Sequence, residues 1–179
     1  MNSGTTWPRY LLDRAASAPP PDCNVISGST PIVSFGDPVA PSVATLGINP
    51  AQGAFIDDDG RLLSGQARKH ATLPSLGVAT REEITPELAA TIVDECAAYF
   101  LRPPQHPWFG PLDRILKPAL GFSYSEGSVS HLDLVQWATY PMWGLLDDSV
   151  QRRLVDADAP FLQEQFKNCL LYTSPSPRD

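Results

Sequence analysis

The segment Gly47-Ile48-Asn49-Pro50 ends an apolar run over residues 43–48. The run predicts a strand that is buried on both faces of a parallel sheet. Pro50 keeps Asn49 out of helical geometry, so the chain turns at the carboxyl end of this strand, where open α/β sheets bind ligands. A glycine lets the backbone approach a ligand, and the Asn49 amide can hold a water or bind a base edge. A plain Asn-Pro turn is the alternative.

A second candidate segment is the predicted strand over 130–135, which contains His131 and Asp133. Alternation along a strand places both side chains on the same face, with Leu132 and Leu134 on the other. A buried carboxylate needs a partner or a function, because an uncompensated buried charge is costly. Asp133 is therefore a candidate catalytic residue, unless backbone N–H groups satisfy it. For His131, the alternatives are a structural role and substrate binding.

Three further side chains are weaker candidates for ligand contacts. Phe55 follows Asn49 by six residues and could stack on a flat ligand, although a core position is the alternative. Arg68 and Lys69 form the centre of the one local basic enrichment and could meet DNA phosphates. A solvated helix face is the alternative for this basic pair.

Composition narrows the classes of function. The net charge of −7 and the pI of about 4.8 count against a general nucleic-acid binder, which normally carries a basic face. The three cysteines and three histidines match no zinc or redox spacing, and no dinucleotide, P-loop or zinc-protease motif occurs. No apolar run approaches the roughly 18 residues of a membrane span. We therefore expect a cytoplasmic monomer without a metal or cofactor.

Strands that alternate with helices must position the two candidate segments, residues 47–50 and 130–135. Strands are predicted over 32–35, 43–48 and 130–135, and helices over 7–18, 66–76, 86–100, 111–120 and from 149 to 168. In the clearest helix, Leu88, Ile92, Cys96 and Phe100 recur every four residues as the buried stripe. This order predicts a three-layer α/β/α fold with a short, mostly parallel central sheet.

The C-terminal segment breaks this pattern. Residues 169–179 form a Ser/Pro-rich stretch that resembles the translation of a sequencing adapter, and a natural disordered tail is the alternative. We expect residues 1–168 to form a single α/β domain that is incomplete at its C-terminus, with an open sheet edge, and 169–179 to be a non-native tail.

Together these pieces resemble the uracil-DNA glycosylase superfamily. Gly47-Ile48-Asn49-Pro50 is similar to the first motif of its mismatch-specific uracil and thymine glycosylase branch, and Asp133 falls where the family has an Asn that reads the uracil edge. The wider pattern is similar to an uncharacterised bacterial group of this superfamily. The resemblance covers most of residues 30–167 and rests on Phe35-Gly36-Asp37, residues 44–50, residues 72–77, Trp108-Phe109 and residues 131–134.

The resemblance implies excision of a flipped base from DNA. In that reading Asn49 and Asp133 are catalytic: Asn49 positions the attacking water and Asp133 contacts the base. The substrate-binding residues are Gly47, Ile48, Pro50, Phe55 and His131, with Phe55 stacking on the base, and no metal or cofactor is needed.

Two departures from the family leave other functions open. An ionised carboxylate accepts hydrogen bonds but donates none, so Asp133 cannot pair with both the O4 and the N3–H of uracil unless it is protonated. The family's His-containing last motif is also absent, and we expect this chain to be inactive as it stands. The alternatives are a protein of this fold that has lost catalysis and binds a small molecule or nucleotide, and a hydrolase of free nucleosides or nucleotides.

Overall fold

Two short parallel strands form the sheet of the described residues. The structure is a computed structural model that describes residues 6–102 and 108–168. Strand β1 (Val43–Gly47) pairs with β2 (Val129–Asp133) over its whole length, from Val43 opposite Val129 to Gly47 opposite Asp133. Both strands were predicted, and together with the helices they give a small α/β fold. Residues 169–179, expected to be a tail, lie outside the described part.

The two strands differ in burial. All five residues of β2 are buried, whereas Leu46 in β1 is 58% exposed and Ile48, just after it, is 54% exposed. The prediction that β1 is buried on both faces is therefore wrong. Within residues 6–102 and 108–168, β1 has a strand partner on one edge only, which leaves the expected open edge.

The predicted strand over 32–35 forms one antiparallel bridge rather than a ladder. Phe35 and His131 exchange backbone hydrogen bonds of 2.8 and 2.9 Å on the edge of β2 that faces away from β1. The next residue, Gly36, has a φ of +93°, a conformation that glycine adopts easily and that turns the chain away from the sheet. The bridge still buries residues 32–35 beside β2.

Four α-helices lie in residues 6–102 and 108–168. They are α1 (Arg9–Ala16), α2 (Pro86–Ala97), α3 (Phe109–Leu120) and α4 (Asp148–Asn168). Thr85 caps α2 by accepting a hydrogen bond from the Leu88 N–H, and Pro86 occupies the first turn, where its missing N–H costs nothing. Helix α2 packs against α1. Its buried residues are Ala89, Ile92, Val93 and Cys96, so the buried face is rotated about the helix axis from the predicted face.

The helix predicted over 66–76 does not form. Two 3₁₀ turns, Gly65–Ala67 and Pro74–Leu76, replace it. The hydroxyl groups of Thr72 and Ser75 each accept a hydrogen bond from the other residue's backbone N–H, which competes with helical hydrogen bonding. Gly77, predicted as the stop of this helix, does end the second turn in a left-handed conformation.

A buried polar network ties the helices to the segment after β2. The Asp158 carboxylate of α4 is fully buried, and its Oδ2 lies 2.5 Å from Nη2 of Arg14 in α1. The same oxygen accepts the backbone N–H of Gln136 at 2.7 Å. The Gln136 side chain accepts from Nε of Arg14 at 2.8 Å and donates to Gln165, whose amide donates to the carbonyl of Val33. Four separated parts of the chain are therefore linked.

Substitution of Asp158 by Ala is expected to lower the free energy of unfolding by about 3–5 kcal/mol, because it leaves the Arg14 guanidinium buried without its counter-ion. Urea unfolding followed by tryptophan fluorescence measures the change. The control is Asp13→Ala, which removes the i,i+4 pair between Arg9 and Asp13; those side chains are 92% and 67% exposed, and exposed pairs contribute little. Equal effects of the two substitutions would contradict the prediction.

Candidate functional site

A cavity of about 990 Å³ opens at the carboxyl ends of β1 and β2. Its lining comprises residues 45–54 from the end of β1 and the loop after it, residues 142–144, and the separate residues Phe35, Lys69, Tyr99, Trp108, Phe109, Leu112, His131 and Asp133. The volume lies at the upper end of the range for small-molecule sites. Parallel strands end at one edge of a sheet, so the two predicted candidate segments meet here.

His131 and Asp133 form an acid–imidazole pair on the cavity wall. Nε2 of His131 lies 3.3 Å from Oδ1 of Asp133. The two residues are 7% and 4% exposed, and both line the cavity. The predicted placement of both side chains on one face of the strand agrees with this contact. The partner of the buried carboxylate is thus the imidazole two residues earlier.

The backbone of Gly47 passes directly over this pair. A Cβ at position 47 would lie 2.4 Å from Oδ1 of Asp133 and 2.7 Å from Nε2 of His131. Real Cβ atoms essentially never show such distances, so any side chain here would displace the pair. The sequence suggested that Gly47 makes room for a ligand, and in the structure it makes room for the side chains of the neighbouring strand.

Two hydroxyl groups extend the pair away from the cavity. Oγ1 of Thr45 lies 2.7 Å from Nδ1 of His131 and 2.6 Å from the hydroxyl of Tyr124. Burial raises the pKa of Tyr124, so its hydroxyl keeps its proton and remains a hydrogen-bond donor. The sequence reasoning missed both residues, although Thr45 is directly opposite His131 in the register of the two strands.

Asn49 is held at the rim by the segment after β2. Its Nδ2 donates to the carbonyl oxygen of Trp137 at 3.4 Å. A carbonyl oxygen only accepts, so the amide nitrogen faces it and Oδ1 of Asn49 is left to accept from a water or a ligand. Ile48 and Pro50 line the cavity beside it. The structure thus brings Gly47, Ile48, Asn49, Pro50, His131 and Asp133 together.

Phe55, which was predicted to stack on a ligand, does not line the cavity. Its side chain is fully buried in the main core, and its ring lies 5.7 Å from that of His70. The 3₁₀ turn Gln52–Ala54 directs this side chain inward. The six-residue spacing between Asn49 and Phe55 could not predict that turn. The aromatic residues that line the cavity are Phe35, Tyr99, Trp108, Phe109 and Trp143, none of which the sequence reasoning assigned to ligand stacking.

Arg68 and Lys69, the two residues predicted to contact DNA phosphates, lie in different surroundings. Arg68 forms a partly buried ion pair with Glu95 of α2, which also lies 3.7 Å from Arg102. The Arg68 side chain remains 25% exposed beside this ion pair, and its contact with DNA phosphate stays a prediction. Lys69 does line the cavity, and its Nζ donates to the carbonyl of Gly53 at 2.6 Å. Lys69 is the one cationic side chain among the described lining residues.

Comparisons with family models, with curated proteins and with solved structures returned no match to this chain. Within the described ranges, no three His, Cys, Asp or Glu side chains are grouped closely enough to hold a metal ion. No helix of that part of the chain is long and apolar enough to cross a membrane.

Substitution of Gly47 by Ala is expected to lower the free energy of unfolding by about 1–3 kcal/mol, since the added methyl group overpacks the His131–Asp133 pair. The side-chain NMR resonances of His131 should shift as the ring is displaced. The control is Gly53→Ala in the same cavity wall, where a Cβ would meet no atom within 4 Å. A Gly47→Ala protein that matches this control in stability and in its His131 resonances would refute the close approach.

Proposed function

We propose that this protein is a hydrolase of N-glycosidic bonds, related to the uracil-DNA glycosylases, that removes a base from DNA. The observation that carries the proposal is the convergence of Asn49 with the His131–Asp133 pair on one cavity with aromatic walls. Aromatic walls suit a flat heterocycle, and a few polar groups fix its orientation. The proposal includes a three-layer α/β/α domain that works as a monomer in the cytoplasm.

The residues of the cavity suggest a division of labour in the reaction. A flipped base enters the cavity with its polar edge at Asp133 and its ring near the side chains of Tyr99 and Trp143. Oδ1 of Asn49 accepts a hydrogen bond from a water molecule. The water oxygen bonds to C1′ of the sugar as the C1′–N bond breaks, and a proton from the water ends on the departing base.

Asn49 contributes by positioning and not by removing a proton, because an amide is a poor base. The hydrogen bond to the carbonyl of Trp137 fixes its orientation before the substrate arrives. Preorganised groups of this kind lower the barrier because they need no reorientation during the reaction. The carboxylate of Asp133 lies beside the imidazole of His131, 3.3 Å from its Nε2.

A second candidate is hydrolysis of free nucleosides or nucleotides, or their binding without catalysis. The charge around the cavity favours it. The net charge is −7, Arg68 is paired with Glu95, and Lys69 is the one cation among the described lining residues. Duplex binding depends on neutralising several phosphates, whereas a free nucleoside needs no such contacts.

Release of bases from single- and double-stranded DNA tests the first proposal through alkali-labile sites at uracil, hypoxanthine, mismatched thymine and guanine. We expect Asn49→Ala to lower the rate by roughly 100-fold, the order seen when one preorganised polar group is removed. The control is Asn168→Ala on the exposed end of α4. A homologue with the same motifs is assayed in parallel.

The outcomes separate the candidates. Release from free nucleosides without cleavage of DNA supports the second candidate. Base binding without release from either substrate, together with DNA binding that is weak and insensitive to salt, supports a binding protein. If neither the chain nor the homologue releases a base or binds one, both candidates fail.

A further inference from the structure

We infer that the cavity takes a base that presents two neighbouring N–H donors, as guanine does, and discriminates against the edge of uracil. The inference rests on the proposed function, since it names the base that the same site accepts. It follows from the protonation pattern of the chain Tyr124–Thr45–His131–Asp133, from the free oxygen of Asp133, and from the size of the cavity.

The hydroxyl groups determine which nitrogen of His131 carries hydrogen. If Tyr124 donates to Thr45, then Thr45 donates to Nδ1, and the hydrogen of the neutral ring lies on Nε2. In a protonated ring both nitrogens carry hydrogen. In each case the hydrogen lies on the nitrogen that is 3.3 Å from Oδ1 of Asp133.

Asp133 is therefore purely an acceptor toward the cavity. Oδ1 lies 3.3 Å from Nε2 of His131, and neither carboxylate oxygen has a hydrogen bond within residues 6–102 and 108–168. The residue is 4% exposed, so a ligand that covers it removes its remaining contact with water. A ligand that supplies no donors would leave this charge desolvated and unpaired, which is costly.

The edges of the bases differ in how they meet two carboxylate oxygens. Guanine presents N1–H and the N2 amino group side by side, which matches a carboxylate with two parallel, charge-assisted hydrogen bonds. Uracil places N3–H between two carbonyl oxygens, and these oxygens repel the carboxylate. Adenine and cytosine offer one amino group beside a ring nitrogen that is itself an acceptor. Guanine is thus the common base that fits.

The dimensions of the site agree with a purine. A cavity of about 990 Å³ accommodates a two-ring base with its sugar, and Trp108 and Trp143 are among its lining residues. The ring of His131 itself is held between Phe109, at a centroid distance of 5.2 Å, and Phe35, at 5.8 Å. This packing prevents the imidazole from rotating to present a different nitrogen to Asp133.

Isothermal titration calorimetry of the full chain with guanosine, inosine and uridine tests the inference. Inosine differs from guanosine only by the missing N2 amino group, so the pair isolates one donor. We expect guanosine to bind roughly ten- to a hundredfold more tightly than inosine, as for one well-formed bidentate contact, and uridine to bind more weakly than guanosine. Equal affinities for guanosine and inosine, or no binding of guanosine, would overturn the inference.

The variant Asp133→Asn changes the hydrogen-bonding groups that the site offers to the base. An amide both donates and accepts, which suits the O6 and N1–H of inosine, so the preference for guanosine should disappear. Asp156→Asn, an exposed residue of α4, controls for the loss of one negative charge. The wild-type comparison decides the inference even if Asp133→Asn fails to fold. Preference for guanosine without any base release refutes only the proposed reaction, and uracil release without that preference refutes only the inference.

Discussion

The buried carboxylate of Asp158 is the contact on which the rest of the structure depends. It binds Arg14 of α1 and the backbone of Gln136, so both terminal helices are fixed to the segment that leaves β2. The next residue, Trp137, offers its carbonyl oxygen to Asn49 at the rim of the cavity. The orientation of the residue proposed to hold water therefore depends on an ion pair on the far side of that segment. The consecutive residues Gln136 and Trp137 thus connect the buried ion pair to the candidate site.

One wall of the cavity forms where β1 approaches β2 closely at Gly47. Gly47 has no side chain, and the space this leaves is filled by the carboxylate of Asp133 and the imidazole of His131. Thr45, two residues earlier on β1, binds the other nitrogen of the same ring. A five-residue pairing thus positions an acid, an imidazole and a hydroxyl without any loop. Strands hold side chains more rigidly than loops do, which suits a site that must present one fixed hydrogen-bonding pattern.

Some of this could be predicted from the sequence, and the rest depends on contacts that are distant along the chain. The convergence of Asn49 and Asp133 was predictable, because parallel strands end at the same edge and alternation fixes the face of each side chain. The direction of Phe55 was not, because one 3₁₀ turn decides it. The ion pair between Arg68 and Glu95, like that between Arg14 and Asp158, joins residues whose proximity exists only after folding. The failed helix over 66–76 came from side-chain hydrogen bonds between Thr72 and Ser75, which periodicity does not register.

The open edge of β1 has a consequence for the protein in concentrated solution. Within residues 6–102 and 108–168 its backbone groups have no strand partner, and beside exposed Leu46 and Ile48 they form a short-range adhesive surface for another chain. The net charge of −7 supplies a longer-range repulsion between copies. Salt screens that repulsion and leaves the adhesion intact, so colloidal stability should be greatest at low ionic strength and least near the pI of about 4.8.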